Sequence, residues 1–119
     1  MNRKDLGDMG ERWAREYLQG QGFVILETNY RCRKGEVDIV ARERDCLVFV
    51  EGRTRSGPEC GTPEEAVTPA KQRRLVAVAL SYLQSHRSLP PDWRIDVVAV
   101  EMDRGGRVAR TSLVRNAVS

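Results

Sequence analysis

Apolar residues recur at helical spacing through the first segment of the chain. Leu6, Met9, Gly10, Trp13, Ala14, Tyr17 and Leu18 fall on one stripe, which predicts an amphipathic helix. Asp5 stands where a cap is needed and Gly22 where the helix should end. Residues 23–30 (FVILETNY) are rich in β-branched and aromatic side chains and read as a strand. Two more strands follow at 35–43 (GEVDIVARE) and 46–54 (CLVFVEGRT), with Arg44 and Asp45 in the turn between them. Residues 56–65 (SGPECGTPEE) carry the Gly and Pro of a loop. Thr62-Pro63-Glu64-Glu65 has the spacing of a capping box with proline at the first helical position, and Thr68-Pro69 restarts or kinks the helix. A second helix is expected over about 70–86, with Val76, Ala79, Leu80 and Leu83 on one face and Leu75, Val78 and Tyr82 widening it. Pro90-Pro91 breaks the chain, residues 94–101 (RIDVVAVE) form a strand, Gly105-Gly106 a turn, and 108–114 (VARTSLV) a last edge strand. The order α, β, β, β, α, β, β predicts an α/β (α+β) fold, a mixed central β-sheet flanked by helices, in one domain over 1–119.

The bulk properties narrow the class. A chain of 119 residues, 40% hydrophobic and 31% charged, matches one globular domain and is too apolar for a disordered segment. A net charge of +3 and a pI near 9.0 suit a polyanionic partner, though many proteins without one share that balance. Cys32, Cys46 and Cys60 are odd in number and far apart, and the single histidine, His86, is distant from all three; neither a zinc site nor a disulfide framework is expected. Free thiols fit a reducing compartment. The N-terminus lacks the apolar stretch of a signal peptide, and the longest apolar run, LVAVAL, is too short to span a bilayer. These features predict a cytoplasmic protein with no membrane partner.

The chemistry concentrates in the strands at 35–43 and 46–54. If they form a hairpin centred between Arg44 and Asp45, Asp38 faces Glu51 and Glu36 faces Arg53, with facing β-carbons roughly 4.5–5.5 Å apart. Asp38, Glu51 and Arg53 then share one sheet face, because side chains alternate along a strand. Opposed carboxylates repel unless a cation lies between them. Hard divalent cations such as Mg2+ or Mn2+ take oxygen ligands, often one or two carboxylates plus substrate phosphates, and acidify a bound water. Arg53 is then placed to stabilise charge on phosphorus. The plain alternative is a Glu36–Arg53 cross-strand ion pair with Asp38 solvated.

Three further groups are candidates. Glu11 flanks the apolar stripe of the first helix beside Gly7, Ala14 and Leu18, and either reaches the same site or pairs with Arg15 four residues on. Lys71 opens the second helix, where it either meets a phosphate at the helix N-terminus or is an ordinary solvated lysine. Basic residues gather at Arg31, Arg33 and Lys34 and again at Lys71, Arg73 and Arg74; Arg31, Lys34 and Lys71 are the candidate nucleic-acid contacts. No aromatics interleave with them, so a base-stacking platform is not indicated. Trp13 and Trp93 read as core or boundary packing.

On these residues the chain resembles the bacterial YraN family. Gly10-Glu11 with Ala14, Tyr17 and Leu18 makes a first block, Asn29-Tyr30-Arg31 with GEVDIV a second, and FVEGRTR a third. Gly61, Pro63, Glu65-Ala66-Val67 and Lys71, then RIDVVAV, complete the order over nearly the whole chain. That family looks related to Holliday-junction resolvases and the restriction-endonuclease-like fold. The resemblance implies a metal site at Asp38 and Glu51, catalytic roles for Glu11, Asp38, Glu51 and Arg53, Mg2+ or Mn2+ as cofactor, and a nucleic-acid partner, DNA in preference to RNA. It also implies a homodimer, as resolvase-like proteins often work in pairs. Two positions depart from the wider pattern: Arg53 stands in place of a lysine, and Gly52 in place of a usual valine. Arginine stays protonated and is a poor general base, and glycine loosens a strand. Two functions therefore stand: a metal-dependent endonuclease acting on structured or branched DNA, and a catalytically weak nucleic-acid-binding module of the same fold. A protein-interaction subunit is a third.

Overall fold

A computed structural model describes residues 8–55 and 67–118. The elements are α1 (Asp8–Gly20), β1 (Val24–Cys32), β2 (Gly35–Glu43), β3 (Cys46–Arg55), α2 (Pro69–Ser85), β4 (Asp92–Met102) and β5 (Val108–Val114). This is the predicted order. The expected Asp5 cap, Leu6 and the Thr62–Glu65 capping box lie outside the described residues.

The first helix presents Ala14 and Leu18, four residues apart and fully buried, to the sheet. It stops where expected. The Gly22 N–H donates to the Gln19 carbonyl and the Phe23 N–H to the Leu18 carbonyl, while Gly22 takes φ +98°. This pair of bonds closes a helix through a left-handed residue, which glycine adopts without steric cost. Trp13 is displaced from the stripe to its rim: it is largely exposed, and its indole N–H donates to the Thr111 hydroxyl on β5 at 2.7 Å.

The strands form one sheet in the order β1-β2-β3-β4-β5. The first three make an antiparallel meander joined by short turns. Strand β4 then pairs parallel to β3, because α2 carries the chain back to the start of the sheet, and β5 returns antiparallel at the far edge. The sheet is covered on both faces. Leu47, Phe49, Ile95 and Val97 pack with Leu75, Val78 and Tyr82 of α2; Val48, Val50, Val98 and Val100 pack with Ala14 and Leu18 of α1. Hence Ile95–Val100 is buried at every residue rather than at alternate ones.

Helix α2 starts at Thr68-Pro69. Thr68 is the N-cap, its hydroxyl accepting the Lys71 N–H at 3.2 Å, and Pro69 takes the first helical turn, where its missing N–H costs nothing. The buried face corrects the sequence expectation. It is centred on Leu75, Val78, Ala79 and Tyr82, whereas Leu80 is exposed and Val76 and Leu83 are only partly covered. Tyr82 sets this rotation: its ring meets Tyr30 and Phe49 edge-on at 5.0 and 5.5 Å, and an aromatic side chain buries more area than Leu80 in that place.

Candidate functional site

The hairpin register is the one the sequence arithmetic requires. Glu43 pairs with Cys46, Arg42 with Leu47, Ala41 with Val48, Val40 with Phe49 and Ile39 with Val50. The turn is closed with Arg44 at φ +54°. The ladder stops there, one pair short of Asp38 and Glu51. Just beyond, strict alternation in β2 breaks: Val37 and Val40, three residues apart, both pack on the α2 side, while Ile39 and Ala41 pack on the α1 side. The two carboxylates are therefore carried where β2 and β3 part.

Each carboxylate has its own partner there. Asp38 is half-buried, and its Oδ2 accepts the backbone N–H of Gly52 at 2.8 Å. Glu51 continues the Leu47–Phe49 face toward α2 and is 5% exposed. Its Oε2 lies 2.6 Å from Nζ of Lys71, whose side chain is 22% exposed. Lys71 is thus neither a solvated lysine nor a lone helix-terminal cation. It is drawn into the sheet by a nearly buried carboxylate, which burial makes costly without a paired charge. Arg53, half-buried, follows two residues after Glu51 on the same strand. Glu36 is not its ladder partner; Glu36 pairs with Arg31 on β1, where Arg31 Nε stands 2.9 Å from Glu36 Oε2 on an exposed surface.

Glu11 enters from α1. The Asn29 side-chain amide donates to both its carboxylate oxygens, at 3.3 and 3.4 Å, so Asn29 and not Arg15 takes up this acid among the described residues. Asn29 sits in β1 with φ +54°, a conformation asparagine tolerates better than most side chains. Thr28 pairs with Ile39 and Tyr30 with Val37, so Asn29 lies opposite Asp38 between them. The fold brings Glu11, Asn29, Asp38, Gly52, Glu51 and Lys71 to one end of the β1–β3 meander. Among the described residues no group of three His, Cys, Asp or Glu is clustered closely enough to hold a metal by itself. Cys32 and Cys46 are free thiols, and no helix is long and apolar enough to cross a membrane among those residues. Gly61, Pro63, Glu65 and Ala66 lie outside the described residues.

A second polar centre was missed by sequence reasoning. Asp96 on β4 is fully buried. Arg94 Nε donates to its Oδ1 at 2.9 Å, Arg94 Nη2 to its Oδ2 at 3.1 Å, and the Asn116 N–H to Oδ1 at 2.8 Å. Arg94 Nη2 also donates to Glu43 Oε1 at 2.7 Å, and Arg115 donates to the same oxygen. The hydrogen bond from Arg115 holds the Glu43 carboxyl below the usual glutamate value, against burial, with Arg94 adding to the effect. Burial works against the Arg94 charge, but hydrogen bonds to Asp96 and Glu43 outweigh it and raise its pKa. The signal was present in RIDVVAV: an acid inside an unbroken apolar run must be buried, and buried charge needs a partner, which Arg94 supplies two residues away on the same face.

The fold and the site together define an α+β protein with a mixed five-stranded sheet flanked by helices and a carboxylate–lysine centre where two strands separate. The profile of "Uncharacterised protein family UPF0102" matches residues 10–100. A UPF0102 protein of Caldicellulosiruptor saccharolyticus is 43% identical over 117 residues, covering 98% of this chain and 99% of its own. One from Symbiobacterium thermophilum is 48% identical over 117 residues, covering 98% of each, and one from Chloroflexus aurantiacus is 49% identical over 108 residues, covering 89% and 86%. The chain belongs to family UPF0102, which is the YraN family its motifs resemble. Among solved structures, Pyrococcus furiosus SfsA in complex with Ca2+ aligns with a TM-score of 0.34 and 12% identity over 82% of this chain and 58% of that one, too low to bear on function.

Proposed function

We propose that this protein binds nucleic acid and acts as a metal-dependent endonuclease on structured or branched DNA. The observation that carries the reading is the Glu51–Lys71 contact at 2.6 Å beside Asp38, which pairs a nearly buried acid with a lysine where two strands part. A purely structural role would be served as well by apolar packing, since a buried ion pair is a poor source of stability.

The donors offered by Asp38 and Glu51 are all oxygen, which fits a hard divalent cation and not a thiophilic one. Those two residues would hold Mg2+ or Mn2+. When bound, such an ion polarises a phosphodiester and acidifies a water. The chain supplies the rest. Gly52 N–H fixes one oxygen of Asp38 and thereby its orientation. Arg53 stays protonated and offers charge to a phosphate, without serving as a base. Lys71 brings to Glu51 the amine that Arg53 does not provide. Asn29 holds Glu11 over the strand that carries Asp38.

A second reading, a binding module without turnover, is favoured by the same lysine: an ion entering at Glu51 must compete with Lys71 for that carboxylate. Calorimetric titration of Mn2+ into the wild type and into Asp38→Asn/Glu51→Gln, with and without branched DNA, separates the two. Metal binding lost in the variant, strengthened by DNA and accompanied by strand cleavage is the result expected of a nuclease. DNA binding without metal uptake leaves the binding module, and no binding to any nucleic acid overturns both.

A further inference from the structure

Two basic clusters, separate in the sequence, are joined by one contact. The end of β1 and its turn into β2 carry Arg31, Arg33 and Lys34, and the first turns of α2 carry Lys71, Arg73 and Arg74. Gly35 sits at the meeting point. A β-carbon added to Gly35 would lie 3.0 Å from Cδ and 3.1 Å from Cγ of Arg74, and 3.4 Å from Val78. The aliphatic stem of Arg74 therefore lies directly on the turn, and its guanidinium is carried outward, as long cationic side chains do when the stem finds apolar cover.

Among the described residues the charge on this ridge is not compensated. Helix α2 contains no acidic residue. At the start of β2, the acid Glu36 is engaged by Arg31 of β1. Arg33, Lys34, Arg73 and Arg74 are all exposed, and among the described residues none of the four has a carboxylate within ion-pair distance. Lys71 precedes Arg74 by three residues, so the two side chains are neighbours on the helix surface. The ridge therefore leads, through Lys71, to Glu51.

We infer that Arg33, Lys34, Arg73 and Arg74 form a phosphate-tracking ridge that seats the backbone of duplex DNA and leads it to the Glu51–Lys71 centre. This deepens the proposed function and rests on it. The ridge is positive on two elements, exposed and free of aromatics, which matches contact with phosphates and gives no means of reading bases. Its affinity must therefore be insensitive to sequence and steeply dependent on salt.

The test compares double variants matched in charge: R33Q/K34Q, R73Q/R74Q, and R44Q/R87Q as a control. Arg44 and Arg87 are exposed cations away from the ridge, one in the β2–β3 turn at the other end of β2 from Lys34 and one beyond the C-terminus of α2, at the far end of that helix from Arg74. Binding of fluorescent duplex DNA to the full chain is followed by anisotropy between roughly 50 and 200 mM salt. Each phosphate contact contributes about 0.9 to the slope of log K against log salt, so each ridge pair should lower the slope by about 2 and the control by nearly nothing. All changes are at exposed side chains, and circular dichroism checks that each variant is folded. If the wild type binds DNA but the ridge pairs keep its slope, or the control lowers it equally, the ridge is wrong and the proposed function stands. If the wild type binds no nucleic acid, the proposed function itself fails. If it binds phosphatidylserine vesicles through the ridge and not DNA, the partner is a membrane surface and the inference is overturned.

Discussion

Replacing Lys71 by methionine should destabilise the protein far more than replacing Glu51 by glutamine, although the two changes break the same contact. Methionine keeps the length and apolar stem of the lysine but leaves the Glu51 carboxylate, 5% exposed, without its cation. Breaking a buried pair from one side costs about 3–5 kcal/mol. Because Lys71 is 22% exposed and water reaches the pair from its side, we discount this to about 2–4 kcal/mol. In Glu51→Gln the shape is retained, and the lysine turns its ammonium to solvent at a cost of about 0–1 kcal/mol. The double variant should recover most of the Lys71→Met loss, giving a coupling of about 1–3 kcal/mol. Urea unfolding, followed by the fluorescence of Trp13 and Trp93, reads all four proteins. With a urea dependence of about 1–3 kcal/mol per molar, Lys71→Met should lower the midpoint by about 1–2 M. Equal losses in the two single variants, or a double variant as poor as their sum, would refute the view that Lys71 exists in the fold to hold a buried carboxylate.

Two other expectations concern the second polar centre. Asp96→Ala strips the partly buried Arg94 of its bidentate partner and the Asn116 N–H of its acceptor, and should cost about 2–4 kcal/mol in urea unfolding, whereas Asp96→Asn, which keeps an acceptor, should cost less. Glu43 has a folded-state pKa below the ordinary 4.5, so its contribution is present above that value and is lost as pH falls through the lowered one. Urea midpoints measured from neutral pH into the acid range should therefore drop for the wild type below about 4.5, and drop less for Glu43→Gln, which starts out less stable; identical pH profiles would show that the Arg94 and Arg115 contacts do not matter.

What was legible in the sequence was whatever a local rule governs. Alternation and a short polar turn placed β2 against β3 in the correct register, and Gly22 and Thr68-Pro69 marked helix ends because each supplies a backbone conformation or a cap that few residues can. Contacts set by the third dimension were not legible. The face of α2 was misjudged by about one residue, since which of several apolar positions turns inward depends on Tyr30 and Phe49 waiting on the sheet. Neither reading of Lys71 includes its pairing with Glu51, because that partner lies on another element. Facing of Asp38 and Glu51 assumed a ladder that continues; Asn29, in a left-handed conformation opposite Asp38, sits where the regular pattern ends, and nothing in the alternation of β2 and β3 announces it.

The parallel pairing of β3 with β4 also bears on how the chain reaches this shape. Strands β1 to β3 close through short turns, and β4 and β5 close through another, so each group can be assembled from contacts near in sequence. Joining them requires the whole crossover that contains α2 to be spanned before a single β3–β4 bond is made. Until that happens strand β4, buried along Ile95–Val100 in the finished fold, has only its pairing with β5 and lacks β3 on its other edge. The seam between these two groups is thus the pairing with the longest loop to close, and it runs along β3, the strand that carries Glu51.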